Sequence, residues 1–110
     1  GHYSIDACDL SQFELQVRAM TGAPLGAPRL HSPCVMLNLM GDLWFQGGER
    51  EITPDWAGVL ALPGAHLHLY GKATARPARK MGHLNITAPS TEAARAVALK
   101  AARVLGIEAF

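Results

Sequence analysis

A run of basic residues between positions 70 and 83 is the part of the sequence best suited to chemistry. Its four permanent cations are Lys72, Arg76, Arg79 and Lys80, and none of the nine acidic residues falls between Asp55 and Glu92. Arginine presents a planar fork of donors that matches phosphate or carboxylate, and lysine adds a compact charge. The pattern therefore favours an anionic ligand or an acidic partner surface, unless acids from elsewhere in the fold neutralise it.

Histidines in the neighbouring stretch suggest a second kind of site. If residues 66–70 form a strand, strict alternation places His66 and His68 on one face, and His83 or Cys34 could complete a metal site. Two histidines at this spacing are more typical of half-buried side chains than of a ligand pair. The sequence therefore predicts no metal, and we expect Cys8 and Cys34 to be reduced thiols.

Nucleic acid and membranes are poor candidates for partners. A surface for nucleic acid needs a longer basic stripe interleaved with exposed aromatic residues, which is missing here. No apolar run approaches the ~18 residues that cross a bilayer. The start of the chain has no basic-then-apolar signal pattern, so we expect a cytoplasmic protein.

The elements that must position the basic run begin with a helix near the start of the chain. Ser11 and Glu14 form a capping box, in which each satisfies a free amide of the first turn. Gly22 then ends the helix as its C-cap. Apolar residues recur on this helix at helical spacing; they are Phe13, Val17 and Met20.

Two further helices are predicted from their terminal signals. Thr53-Pro54 reads as an N-cap followed by proline at the first helical position, and opens a short helix over residues 56–60. Ser90 begins a last helix that runs to about Leu105, with Gly106 as its C-cap. Its predicted apolar stripe comprises Val97, Ala101, Val104 and Leu105.

Four stretches have the composition of strands. Residues 34–40 form a continuous apolar run, which predicts a strand buried on both faces. Residues 66–70 and 80–87 alternate and flank the basic run, while residues 2–8 indicate a short strand or an extended entry segment. We therefore expect residues 1–110 to form a single α+β domain, a small and mostly antiparallel sheet with about three helices on one side.

Three sequence blocks carry a family pattern in their order and spacing: GHYSIDACDLSQFELQVRAMTGAPLG, SPCVMLNLMGD and LHLYGKATARPARKMGHLNIT. Together they resemble the C-terminal part of the 5-(carboxyamino)imidazole ribonucleotide synthases, which are ATP-grasp ligases. The resemblance implies a fold that ends an ATP-grasp enzyme, with its rudimentary hybrid-motif domain. It also implies a place in de novo purine biosynthesis, where the family uses ATP to activate bicarbonate and carboxylates the amine of aminoimidazole ribonucleotide.

The resemblance also implies roles for residues of the basic run. The family's lysine after the Tyr-Gly pair and the first basic residue of the Arg-Lys-Met-Gly-His block hold the ribonucleotide. These correspond to Lys72 and Arg79, and Arg76 and Lys80 of the same motif are expected to assist them. His2 is expected at the edge of the site.

The family's nucleotide and magnesium ligands lie upstream of Gly1. The resemblance therefore implies that ATP and magnesium bind an upstream domain, that this chain holds no cofactor and no catalytic residue, and that the isolated chain is inactive. A homodimer is expected. Ala78 stands where the family usually has glycine, which is tolerable unless the position needs positive φ. The alternative function is a non-catalytic anion-binding or interaction module.

Overall fold

The computed structural model describes residues 1–48, 50–72 and 74–110. None of the helices in this part of the chain is long and apolar enough to cross a lipid bilayer. The elements, in chain order, are α1 (Ser4–Ala7), α2 (Gln12–Thr21), β1 (Cys34–Met40), a 3-10 helix (Gly41–Phe45), α3 (Trp56–Leu60), β2 (Ala65–Leu69), β3 (Lys80–Thr87) and α4 (Thr91–Leu105).

The sheet has three strands, with β3 at its centre and antiparallel to both β1 and β2. Every residue from Met81 to Ile86 is buried, because the central strand is covered on both faces as well as paired along both edges. The predicted α+β class and antiparallel sheet are confirmed, with four α-helices where about three were expected.

The apolar core lies between one face of the sheet and α4. Alanines line the buried face of α4, and their small side chains allow the helix to pack closely on the strands. The predicted ends of α4 are confirmed, since the Ser90 hydroxyl accepts from the Ala93 amide at 3.1 Å and Gly106 adopts φ of 78°. Val104 was expected in the apolar stripe, yet its side chain is 42% exposed. The core comprises Leu37, Leu39, Val59, Leu84, Ile86, Ala94, Ala98, Ala101 and Leu105.

Helix α2 has the predicted ends but none of its residues is buried. Ser11 Oγ accepts from the Glu14 amide at 3.1 Å, and Gly22 ends the helix with φ of 72°. The Glu14 carboxylate pairs with Arg18 at 2.9 Å and so does not complete the reciprocal half of the capping box. The apolar row of α2, namely Phe13, Val17 and Met20, is exposed by 38%, 60% and 79%.

Residues 4–7 of the opening stretch are helical, so the strand or extended segment predicted for residues 2–8 is wrong. Its helix, α1, is held by the Ser4 hydroxyl, which donates to the Gly1 carbonyl at 2.5 Å and accepts from the Gln12 amide at 3.0 Å. These bonds satisfy backbone groups that a strand would have paired with a neighbour. Because α1 contacts β3 on the face opposite the core, the helices flank both faces of the sheet rather than one.

Two smaller expectations also fail for physical reasons. β1 is an edge strand, and Asn38 is exposed, so β1 is not buried on both faces as predicted. Asp55 rather than Thr53 caps α3, since its carboxylate accepts from the Gly58 amide at 3.0 Å. A carboxylate two residues further along the chain therefore takes the position that Thr53-Pro54 was expected to fill.

Candidate functional site

The face of the sheet opposite the apolar core carries a cluster of polar side chains. Strands β2 and β3 supply most of it, because alternate residues of paired strands project to the same side. The register places His68 opposite His83 and His66 opposite Asn85. The polar cluster, as named here, comprises His2, Asp6, His66, His68, Tyr70, His83 and Asn85.

Asp6 of α1 is the anionic centre of the polar cluster. His68 Nε2 lies 2.6 Å and Asn85 Nδ2 lies 2.7 Å from Asp6 Oδ2, and His66 Nδ1 lies 3.7 Å from Oδ1. Burial alone would raise the pKa of Asp6, but hydrogen bonds from Asn85 and His68 and the nearby imidazoles outweigh it, so the pKa is lowered. Asp6 is therefore a carboxylate at neutral pH.

His83 is a buried imidazole with 1% of its surface exposed. Its ring stacks on His68, with centroids 4.6 Å apart and planes 15° apart, and its Nδ1 lies 2.9 Å from the Tyr70 hydroxyl. Burial lowers the pKa of His83, and the neighbouring His68 and His2 lower it further. The His83 ring is therefore neutral at neutral pH.

His2 packs onto the polar cluster from the start of the chain. Its ring meets Phe13 edge to face at 5.3 Å and His83 at 5.0 Å, and it lies 6.1 Å from the Tyr70 ring. The His2 carbonyl also accepts from Asn85 Nδ2 at 3.4 Å. These contacts hold the first residues of the chain against β3 and the Tyr70 ring.

The basic run leaves the sheet directly beside this cluster. Lys72 Nζ lies 5.7 Å from the centroid of the Tyr70 ring and donates to the Lys80 carbonyl at 2.5 Å. The Arg79 guanidinium donates to the Thr74 carbonyl at 3.0 Å. We call the segment of residues 71–80 the cationic loop, and its lysine at position 72 lies beside the Tyr70 ring of the polar cluster.

The base of the cationic loop is fixed to the 3-10 helix. The Gly41 amide donates to the Arg79 carbonyl at 2.7 Å, and the Asp42 carboxylate accepts from the Ala78 amide at 2.5 Å. Gly41 permits this approach, since a Cβ there would lie 1.8 Å from the Arg76 carbonyl oxygen. Ala78 has φ of 63°, so the position where the family usually has glycine does require positive φ.

Carboxylates do not pair with the side chains of the cationic loop among the described residues. The ion pairs found there join Arg18 with Glu14, Arg29 with Asp9, and Asp6 with two histidines. The Asp42 carboxylate accepts a hydrogen bond from the Ala78 backbone amide instead. The positive charge of the loop is therefore available to an anion from outside this part of the chain.

The structure thus brings some of the predicted site residues together. Lys72 and His2 lie against the same ring, that of Tyr70, and Lys72 contacts the backbone of Lys80. Arg79 lies further along the loop, and the Arg76 side chain is exposed. The sequence patterns did not predict Tyr70, His83, Asp6 or Asn85 as site residues, although strand alternation places His83 and Asn85 on one face.

The arrangement does not resemble a metal centre. The described residues contain no group of three or more His, Cys, Asp or Glu side chains that could hold a metal ion. His68 directs its Nε2 to Asp6 and presents its ring face to His83, so the two nitrogens do not converge. The histidine pattern serves packing and hydrogen bonding instead.

Comparison with known proteins identifies relatives of this chain. A family model described as the phosphoribosylaminoimidazole carboxylase C-terminal domain matches residues 34–97. The N5-carboxyaminoimidazole ribonucleotide synthase of Synechococcus elongatus is 44% identical over 111 residues, covering 97% of this chain. The chain spans 27% of that relative's length.

Solved structures show the same fold as part of longer chains. The N5-carboxyaminoimidazole ribonucleotide synthetase of Thermus thermophilus matches 100% of this chain and 28% of its own, with a TM-score of 0.83 and 34% identity. The N5-carboxyaminoimidazole synthase of Aspergillus clavatus was solved in complex with ADP and 5-aminoimidazole ribonucleotide. It matches 96% of this chain and 28% of its own, with a TM-score of 0.77 and 35% identity.

Proposed function

Since this chain belongs to the phosphoribosylaminoimidazole carboxylase C-terminal domain family, we propose that it acts within a longer ATP-dependent ligase. That ligase carboxylates 5-aminoimidazole ribonucleotide with bicarbonate in de novo purine biosynthesis, in the cytoplasm. The family resemblance inferred from the three sequence blocks is confirmed. The ribonucleotide in the Aspergillus clavatus complex supports the same substrate for this chain.

The observation that carries this proposal is the cationic loop, whose charges are not neutralised within the described residues. Lys72 and Arg79 hold the phosphate of the ribonucleotide, assisted by Arg76 and Lys80. His2 borders the site across the Tyr70 ring. Phosphate is well matched to such a group, because guanidinium and ammonium donors form charge-assisted hydrogen bonds with it.

The mechanistic role of the domain is positioning. Fixing the phosphate end of the ribonucleotide restricts where its amine can lie, so the amine meets the activated carboxyl group at close range. The described residues offer no cluster of carboxylates that fits magnesium, so no step with ATP or magnesium is assigned to this chain. Those steps belong to the remainder of the ligase.

Alanine substitutions in the full-length ligase test this function. Lys72→Ala and Arg79→Ala each remove a charge-assisted contact, so we expect the KM for the ribonucleotide to rise roughly tenfold or more. The KM for ATP is expected to stay unchanged. Lys100→Ala is the matched control, because it removes an exposed cation on α4 away from the loop. An unchanged ribonucleotide KM in both loop variants would rule out the role.

The same proposal predicts how the isolated chain and the full-length ligase behave. Since the described residues hold no carboxylate cluster that fits magnesium, the purified 110-residue chain should show no ribonucleotide-dependent ATP hydrolysis, and turnover by that sample would contradict the division of labour. Because the apolar row of α2 is exposed, we expect it to be buried against another part of a homodimeric full-length ligase. Light scattering on the full-length protein tests this, and a monomer at high concentration would refute it.

A further inference from the structure

Tyr70 is the residue through which the polar cluster and the cationic loop meet. Its hydroxyl lies 2.9 Å from His83 Nδ1, on the buried side of the ring. Its ring lies 6.1 Å from the His2 ring and 5.7 Å from Lys72 Nζ. The side chain is 39% exposed, so one end is anchored in the cluster while the ring reaches the surface. A single aromatic ring thus contacts site groups from two distant parts of the chain.

His83 is well placed to hold that ring still. It lies on the central strand and is almost fully buried. Its ring stacks on that of His68 at 4.6 Å and meets that of His2 edge to face at 5.0 Å. His68 in turn is fixed by its 2.6 Å contact with Asp6. The contacts therefore form a continuous path from the half-buried Asp6 carboxylate to the Tyr70 hydroxyl.

Lys72 benefits from such an anchor, because a free lysine loses much rotamer freedom when it binds a ligand. The electron-rich face of a tyrosine ring attracts an ammonium group within about 6 Å of its centroid. A Tyr70 ring held in one orientation thus keeps the Lys72 ammonium close to its binding position before the ligand arrives. If the hydroxyl lost its partner, the ring could turn and the lysine would lose this support.

We propose that Tyr70 and His83 are positioning residues for the ribonucleotide site. His83 orients the Tyr70 ring through the hydroxyl, and the ring orients Lys72 and His2 toward the bound phosphate ester. This inference rests on the proposed function of Lys72, and it adds two residues that need not touch the substrate. Asp6 and His68 contribute only by holding His83 in place.

Kinetics of Tyr70→Phe in the full-length ligase test the proposal. This variant keeps the ring and removes the hydroxyl, so we expect the ribonucleotide KM to rise roughly threefold to tenfold. The KM for ATP is expected to stay unchanged, and the midpoint of thermal unfolding should fall, because the buried His83 Nδ1 loses its hydrogen-bond partner. Tyr3→Phe is the matched control, because Tyr3 is 41% exposed and its hydroxyl forms no hydrogen bond with the described residues. The control is expected to behave as wild type.

A pair of substitutions at His83 separates positioning from simple packing. His83→Asn places an amide group near the former Nδ1 and can still bond the Tyr70 hydroxyl, whereas His83→Leu fills the space without a polar atom. We expect His83→Asn to retain a ribonucleotide KM close to wild type and His83→Leu to raise it as Tyr70→Phe does. Equal KM values for the two His83 variants would overturn the positioning role.

The double variant Tyr70→Phe/Lys72→Ala shows whether the tyrosine acts through the lysine. With Lys72 absent, Tyr70→Phe is expected to raise the ribonucleotide KM no further. An additive effect would overturn the proposed path. If Lys72→Ala raises the KM and Tyr70→Phe does not, positioning is wrong while the proposed function stands. If neither Lys72→Ala nor Arg79→Ala raises it, the proposed function itself fails.

Discussion

Ala78 shows how a single residue of the cationic loop is held against its own preference. With φ of 63°, its Cβ lies close to a neighbouring carbonyl oxygen, a strain that glycine avoids. The Asp42 carboxylate accepts from its amide, and the Arg79 amide donates to the Arg76 carbonyl at 3.1 Å to close the turn. The turn is therefore maintained by its hydrogen bonds rather than by the backbone preference of alanine.

Replacing this alanine should relieve the strain. We expect Ala78→Gly to raise the free energy of unfolding by about 1 kcal/mol, as measured by urea denaturation. The control is Ala27→Gly, at an exposed position without positive φ, where glycine only adds freedom to the unfolded chain. Ala27→Gly should lower stability by up to about 1 kcal/mol. Stabilities that change alike in the two variants would contradict the assignment of strain.

The residues of the candidate site could be predicted from the sequence only in part. The basic run and its lack of acids indicate a cationic loop, within which the family resemblance predicts roles for Lys72 and Arg79. Alternation predicts the shared face of His66 and His68. Asp6 could not be assigned, because its contact with His68 spans 62 positions and its own stretch was expected to be a strand or an extended segment. Contacts between distant segments depend on how the elements pack, which local patterns do not contain.

At the scale of elements, the predictions succeed where the signal is local. The caps of α2 and α4 involve residues three positions apart, and both are confirmed. The burial of β1 could not be predicted in the same way, because an apolar run does not reveal whether a strand lies at the centre or the edge of a sheet. Pairing with β3 alone places β1 at the edge and exposes Asn38.

Two identical substitutions in these caps should have different consequences. Ser90→Ala removes the cap of α4, whose buried face forms the core, so we expect global stability to fall by about 1 kcal/mol. Ser11→Ala removes the equivalent bond from α2, which buries none of its residues. We expect Ser11→Ala to speed hydrogen exchange of the α2 amides. Its loss in the free energy of global unfolding should be less than about half of the loss in Ser90→Ala. Equal losses in urea denaturation would indicate that α2 is part of the cooperative core.

Across the whole molecule, the sheet separates an apolar half from a polar half. Leu84 and Ile86 of β3 face α4, while His83 and Asn85 of the same strand face α1. In the polar half, His83 and Asn85 are buried and Asp6 is half-buried, and the pKa values of Asp6 and His83 are lowered. The stability of the domain should therefore depend on pH in two separate ranges.

Acidification is expected to destabilise the domain first through His83. Burial lowers the pKa of His83 from 6.5, so below that value the unfolded chain binds more protons than the folded one. The free energy of unfolding should fall as pH drops from about 6.5 through the folded pKa, and His83→Asn should remove this part of the dependence. Urea denaturation between about pH 7.5 and about pH 5 measures it. A flat profile for the wild type would contradict a lowered pKa.

Asp6 affects stability at a lower pH than His83 does, and it serves as an internal comparison. Its pKa lies below the ordinary 3.8, so its contribution to stability is complete above that value and is lost only as pH falls through the folded pKa. Asp6→Asn should leave the slope near pH 6 in place and remove stability at every pH above about 4. If Asp6→Asn lost the slope near pH 6, the pH dependence of stability in that range would belong to Asp6 rather than to His83.

The bonds from Asn85 to Asp6 and to the His2 carbonyl join positions 79 and 83 residues apart in the chain. Closing so long a loop costs entropy before any contact compensates it, and such contacts form late when a chain folds. An incompletely folded or still-growing polypeptide therefore has the loop cations but not the aromatic ring arrangement beside them. That arrangement forms only when the first residues have met β3, so binding of the proposed ribonucleotide would report that this contact has formed.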